Sequence, residues 1–504
     1  MILLFTAIFF SKEIKIADFE GYWEGINVSS ANPNYRLDAK MNIKVNRENT
    51  EVFYWGGDFK IPMTAAVSSD MLLLSTYIQG YTFSATYTMD KNDSNILKGE
   101  ISRKNPDGTA ELRKGELHRF DSDNTGFALD IDYMKNVLPK VHKNLFFKVS
   151  KEKFDESCDD LIKVANSLSH AELFLGIKKI LALVDDPHTN IYGFGNYINE
   201  YYPFVFKKIG LEYHVFATTR EYKDILGAKL ISIGGNDEKQ ILNKLEKIIP
   251  AQSGVRVAFE AEGYLNSPLA LEFCNITDKN NEVFIFEKDG KQIEINPVRL
   301  SLNAFKQNMV TLKWSLSLAE KRANEFFFYE FFEEDSILYF QYNVCSDNTQ
   351  NGLPKFSQIQ DEILQLLKAK NIKKLIVDMR YNSGGNSAYG TELAKQIQKL
   401  NVDTDVYVVI GNATFSSAII NTIDFKNYCS ATLIGEPTAS SPNHYGEVRT
   451  FILPNMAIMM QYSTKYFKLV EENTSYITPD ITVNRDFNDY ISGIDTVFEV
   501  IKGF

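Results

Sequence analysis

The sequence predicts a multidomain α/β and β chain: β structure first, then a helical segment, a second β region and a C-terminal α/β domain. Three observations predict it. Residues 17–121 alternate apolar and polar positions with a period of two, and residues 129–186 repeat apolar positions at helical spacing. From residue 336 onward, short apolar strands alternate with amphipathic helices. At 504 residues the chain is also too long for a single hydrophobic core.

Within 17–121, YRLDAKMNIKV (35–45), TEVFYW (50–55) and YTFSATYTM (81–89) read as short strands. Gly56-Gly57, Asn92-Asp93 and Pro106-Asp107-Gly108 supply turn signals between them. Strands at this spacing predict a small sandwich or barrel. The stretch from Phe19 to Gly25 resembles the G-x-W opening of lipocalin-like barrels, while Trp23 reads equally well as plain core. No chemistry is assigned to this region.

The helical segment, 126–195, contains YMKNVLPKV (133–141), CDDLIKVANSL (158–168) and LFLGIKKILALV (173–184). It ends at Asp185-Asp186-Pro187-His188-Thr189. Residues 202–300 return to strands, with one helix over 238–249 and a short apolar strand running from Gly227 into Gly234-Gly235. A polar segment at 305–325 leads into the last domain, 335–504. There SILYFQYNV (336–344), KKLIVDM (373–379), VYVVIG (406–411) and ATLIG (431–435) read as strands. Helices are expected over 355–370, 387–400 and from Ser417 to about Phe425. Sites in such a sheet lie at the carboxyl ends of its strands.

Bulk composition excludes several classes. A net charge of −11 lacks the basic footprint that nucleic acid or an anionic membrane needs. Cys158, Cys274, Cys345 and Cys429 are far apart and form no CxxC pair, so no zinc site of the usual spacing is expected. They read as four buried thiols, with one long-range disulfide as the alternative. No metal or cofactor is called for. The apolar start MILLFTAIFF, within a segment 1–16, is too short to span a bilayer. It reads as an export signal, which would place the protein in the periplasm, at the surface or outside the cell, or else as a buried first strand of a cytoplasmic protein.

Two strand-to-helix turns carry the chemistry. Asp378-Met379-Arg380-Tyr381-Asn382-Ser383-Gly384-Gly385 leaves backbone N–H groups free of side-chain cover. Thr414-Phe415-Ser416-Ser417-Ala418 places a serine at a helix N-terminus, where developing negative charge is favoured. Acyl transfer needs such a hydroxyl nucleophile and such donors. Taken alone, each turn also reads as an ordinary helix cap or a plain Gly-Gly turn.

The two turns together resemble a known family. DMRYNSGG resembles the D-L-R-x-N-x-G-G signature of the tail-specific proteases, the S41 serine peptidases. TFSSA resembles their nucleophile segment, and Gly435-Glu436-Pro437-Thr438 their G-E-P-T stretch. DDPHT resembles the family's D-x-H-T turn, GAKLISIGG the strand of its PDZ-like domain, and Tyr476–Asp480 its G-I-x-P-D run. The resemblance covers about 130–490 and implies a PDZ-like domain at 202–300 and a crotonase-like catalytic domain. It implies Ser416 as nucleophile, with the N–H groups of Gly384 and Ser417 as oxyanion hole, acting on a peptide or unfolded protein. One position departs: Ser441 stands where members with a Ser–Lys dyad carry lysine. The tricorn-like branch instead uses the histidine of the H-T turn, which implies His188 as base and Glu472 in the charge relay. His444, close to the missing lysine's slot, is the alternative base. A catalytically inactive peptide-binding protein on the same scaffold, or an acyl-CoA enzyme of related architecture, are the competing readings.

Overall fold

The computed structural model describes residues 14–31, 36–46, 49–56, 59–348 and 353–504. The start of the chain, where an export signal or a first strand is expected, lies outside the described residues up to position 13. The chain divides into two compact units. One holds residues up to Met134 together with Leu453–Ala457, and the other holds Lys135–Ile452 and Ile458–Phe504.

The first unit is built on eight antiparallel strands, from Gly21–Ser29 to Ala110–Arg119. Each pairs with the next, and the first pairs with the last, with Trp23 opposite Arg119. The sheet is therefore a closed barrel rather than a sandwich. Inward positions such as Met41, Ile43, Tyr54, Leu72, Leu74, Tyr87, Leu97 and Leu117 fill it, following the period of two along each strand. Trp23 is core: its indole N–H donates to the Phe19 carbonyl (2.9 Å), and the Arg119 guanidinium lies 4.5 Å from its ring centre.

In the second unit, the helices Lys151–Ala165 and His170–Val184 are capped by Ser150 and Ser169, the latter in a capping box with Glu172. His170–Val184 buries most of its length and stops where Asp185 turns left-handed (φ 62°). That stop releases the chain into the Asp186–Thr189 turn. The region between Phe204 and Thr311 forms a seven-stranded antiparallel sheet, with Glu212–Thr219 and Lys229–Ile233 among its inner strands.

The C-terminal sheet has six strands in the order Phe327–Phe332, Ile337–Tyr342, Lys374–Asp378, Asp405–Ile410, Thr432–Gly435 and Ile481–Thr482. The first pair is antiparallel and the rest are parallel. Leu338, Phe340, Leu375, Val377 and Val408 face one layer with residues of the helices Phe356–Ala369, Ala388–Leu400 and Ser417–Cys429. Ile337, Tyr339, Ile376 and Val409 face the other with Val497, Phe498 and Ile501. Both faces are covered, which is why these strands read as apolar runs. A hairpin of His444–Ile452 and Met459–Phe467, which the sequence pattern did not single out, pairs His444 with Phe467. All four cysteines are free, so the long-range disulfide does not form. Among the described residues no helix is long and apolar enough to cross a membrane.

Candidate active site

Strand Asp405–Ile410 ends in a tight turn, and helix Ser417–Cys429 begins at once. Ser416 occupies the N-cap position at φ 55°, ψ −123°, and its side chain makes no capping hydrogen bond. A non-glycine residue held there costs about 1–3 kcal/mol and persists only when its surroundings impose it. They do so here. The Thr414 hydroxyl donates to the Met379 carbonyl and accepts the Gly411 N–H, both at 2.9 Å. The Phe415 N–H donates to the Asn382 carbonyl at 3.0 Å. The serine hydroxyl is thus released from the structural role that a serine before a helix usually plays.

The adjacent parallel strand Lys374–Asp378 delivers the glycine loop. Buried Arg380 pairs with Asp378 (2.8 Å) and with Asp495 (2.9 Å), fixing the start of the loop to the sheet. Asn382 donates to the Tyr342 carbonyl and accepts the Gly384 N–H at 2.9 Å. Gly384 has φ +108°, and a Cβ there would sit 2.7 Å from the Ser416 Cβ. At Gly385, φ +132°, a Cβ would lie 2.2 Å from the Cys345 carbonyl oxygen. Both glycines are required by close approach, and the first of them lies directly against Ser416.

This contact corrects one expectation. The Gly384 N–H is committed to Asn382 and is not free to meet an oxyanion in this conformation. The Ser417 N–H belongs to the first helical residue, which has no intrahelical acceptor. The Ser417 hydroxyl donates to the Gly385 carbonyl (2.6 Å), tying helix to loop.

His188 is buried, and its ring stacks on Phe415, the residue before Ser416, with centres 4.3 Å apart. The ring also stacks with His444, with centres 5.7 Å apart, and His444 stacks in turn on Phe467. Neither ring nitrogen of His188 has a hydrogen-bond partner, so the Ser416 hydroxyl is not bonded to it in this conformation. Burial pushes the His188 pKa down to about 4, against the pull of Asp186 and with the help of His444 and Arg256. Burial also lowers His444, against its bonds to the Pro442 and Ser441 carbonyls. Those two carbonyls face its Nδ1 at 3.2 Å, so that nitrogen carries the proton.

Glu472 does not join the cluster. It is exposed on the loop after the hairpin, and the carboxylate whose charge reaches His188 is Asp186. The chain spacing that suggested Glu472 does not encode which way an exposed loop faces. Ser441, in the place of the family's lysine, is buried and donates to the Thr474 carbonyl (2.5 Å). Asp186 and His142 are the residues that sequence reasoning missed. The signal available for Asp186 was its place two residues before His188, where an aspartate closes an Asx turn; His142 had none. Among the described residues no group of three or more His, Cys, Asp or Glu side chains could hold a metal ion.

Residues 349–483 match the model of Peptidase family S41. No curated protein sequence matches the chain. Among solved structures, the chain is similar to mature CPAF complexed with lactacystin, with TM-score 0.49 and 12% identity over 72% of this chain and 95% of that one. It is similar to the photosystem II D1 C-terminal processing protease, with TM-score 0.34 and 12% identity over 71% of this chain and 93% of that one. It is also similar to the tricorn protease, with TM-score 0.38 and 11% identity over 95% of this chain and 59% of that one.

Proposed function

We propose, from the match of residues 349–483 to the model of Peptidase family S41, that the chain is a serine endopeptidase working through a Ser416 acyl-enzyme. The Ser416 hydroxyl oxygen attacks the scissile carbonyl carbon while His188 Nε2 takes its proton. The tetrahedral oxyanion is met by the Ser417 N–H. His188 then gives the proton to the leaving amine, and water, activated by the same imidazole, releases the acyl group. The observation that carries this reading is His188 itself: a buried imidazole with both nitrogens unpartnered, stacked on the residue before a strained, non-capping serine.

The layered C-terminal sheet suits a crotonase-like catalytic domain, and the antiparallel sheet between Phe204 and Thr311 a PDZ-like module for an extended peptide. Substrates of this kind are unfolded chains that can add as a strand. Export, read from the apolar start, fits such a role. The test is labelling with a serine-reactive fluorophosphonate, followed by cleavage of a denatured protein. Stoichiometric adduct on Ser416, with labelling and cleavage both lost in Ser416→Ala, supports the scheme. Cleavage that survives Ser416→Ala overturns it. Folded wild-type protein that takes no label is the result expected of an inactive peptide binder.

A further inference from the structure

We infer that Asp186 is the carboxylate that orients His188 for proton transfer, and that a neutral His142 in turn orients Asp186. This inference rests on the peptidase reading and fills the place expected of Glu472. Asp186 is fully buried, and its two oxygens are used unequally. Oδ2 accepts from His142 Nε2 (3.0 Å), the Thr189 hydroxyl (2.6 Å) and the Ser463 hydroxyl (2.6 Å). Oδ1 accepts only the His188 backbone N–H (3.1 Å) and faces His188 Nδ1 at 3.9 Å. One oxygen is saturated. The other keeps a lone pair for the imidazole, across a gap that a small rotation closes into a hydrogen bond.

The protonation of His142 follows from its neighbours. The Asn144 backbone N–H donates to His142 Nδ1 at 3.0 Å, so that nitrogen keeps its lone pair and the proton sits on Nε2, aimed at Asp186. His142 is therefore a fixed donor and carries no proton in the reaction. Burial pushes the Asp186 carboxyl up, but the lowering effects, led by the bond from His142 and including the Ser463 and Thr189 hydroxyls, outweigh it and hold the group below the usual carboxylate value.

Three charged or titratable groups act on His188 from the elements around it. Asp186 comes from its own turn, His444 from the hairpin, and Arg256 from helix Gly254–Ala261, where it is bonded to Glu260. His444 and Arg256 both oppose a cation at His188, and Asp186 alone favours one. Phe415 and His444 both stack on the ring, and its edge presents Nδ1 to Asp186. Base and orienting carboxylate thus come from one four-residue turn.

Nitrogen-15 spectra of the imidazoles at neutral pH, run beside fluorophosphonate labelling of Ser416, test the inference. In wild type the neutral His188 proton should sit on Nδ1. In Asp186→Asn, the three donors from His142, Thr189 and Ser463 retain the amide oxygen and turn its NH2 toward His188. The proton should then move to Nε2, and labelling should fall about 100-fold, the lower range of what a positioned base contributes. His142→Gln, which keeps an N–H donor for Asp186, should hold the Nδ1 proton and most of the labelling. Should Asp186→Asn not fold, Asp186→Glu is read by labelling instead: the carboxylate displaced by one methylene should keep the tautomer but lower labelling, and unchanged labelling overturns the inference. An unchanged tautomer and unchanged labelling in folded Asp186→Asn overturn the inference and leave the peptidase reading standing. A wild type that never labels overturns the peptidase reading, while the spectra still decide the Asp186–His188 pairing.

Discussion

Removing the His188 imidazole should change how stability depends on pH, by an amount that its burial sets. An imidazole in an unfolded chain titrates near 6.5, and burial holds this one down to about 4. Between those values the unfolded chain binds a proton that the folded protein refuses, so stability must fall as the pH falls. The gap of about 2.5 pH units, at 1.36 kcal/mol each, gives a loss of about 3 kcal/mol between pH 6.5 and pH 4, and none above pH 7. His444, also lowered, and the buried carboxylates add their own slopes, so the measurement is a difference. Urea denaturation of wild type and His188→Gln, at half-unit steps from pH 4.5 to 8, should give curves that run parallel above pH 7. Below about pH 6.5 the wild type should lose stability faster, at up to 1.36 kcal/mol per pH unit. Since His188 is already neutral at pH 7, fluorophosphonate labelling should also be flat from pH 6 to 8 and decline only in acid. Parallel stability curves across the whole range would falsify the claim that this imidazole is buried in the neutral state.

Three further variants test the geometry beside it. Gly384→Ala keeps the backbone N–H but sets a Cβ 2.7 Å from the Ser416 Cβ, so it should displace the serine and lower Ser416 labelling. The strain of a side chain at φ +108° should cost it about 1–3 kcal/mol, read by thermal denaturation. Gly385→Ala, with its Cβ 2.2 Å from the Cys345 carbonyl oxygen, should be the less stable of the two. Arg380→Ala leaves Asp378 and Asp495 as buried carboxylates without their cation, and should cost about 3–5 kcal/mol in urea denaturation.

What was legible in the sequence is what local pattern determines. KLIVD at 374–378 reads as a strand because both of its faces are covered, and Phe356–Ala369 reads as a helix because its apolar stripe recurs every three or four residues. The barrel strands alternate because only one of their faces is packed. The hairpin His444–Ile452 with Met459–Phe467 was not legible. Its strands mix charged and apolar positions, and Glu447 breaks the pattern at φ 55°. In the site, Ser416 and His188 could be named from motif and residue type. The meaning of Asp186 could not, because it lies in Ser463, 277 residues away, and His142, 44 residues away. Gly384 was legible as a flexible turn, but only the fold shows that its N–H is already spent on Asn382.

Closure of the first sheet also bears on how its amide protons meet solvent. Because Gly21–Ser29 pairs with both Arg36–Asn46 and Ala110–Arg119, the ring of described strands has no outer strand from which to fray. Deuterium should enter the amides of Trp23, Tyr54 and Tyr87 only when the ring opens as a whole, so they should exchange at one common rate. The six-stranded sheet ends instead in the two-residue strand Ile481–Thr482 on one side and Phe327–Phe332 on the other. Its amides should exchange in order from the margins inward, with the strand that carries Asp378 among the last.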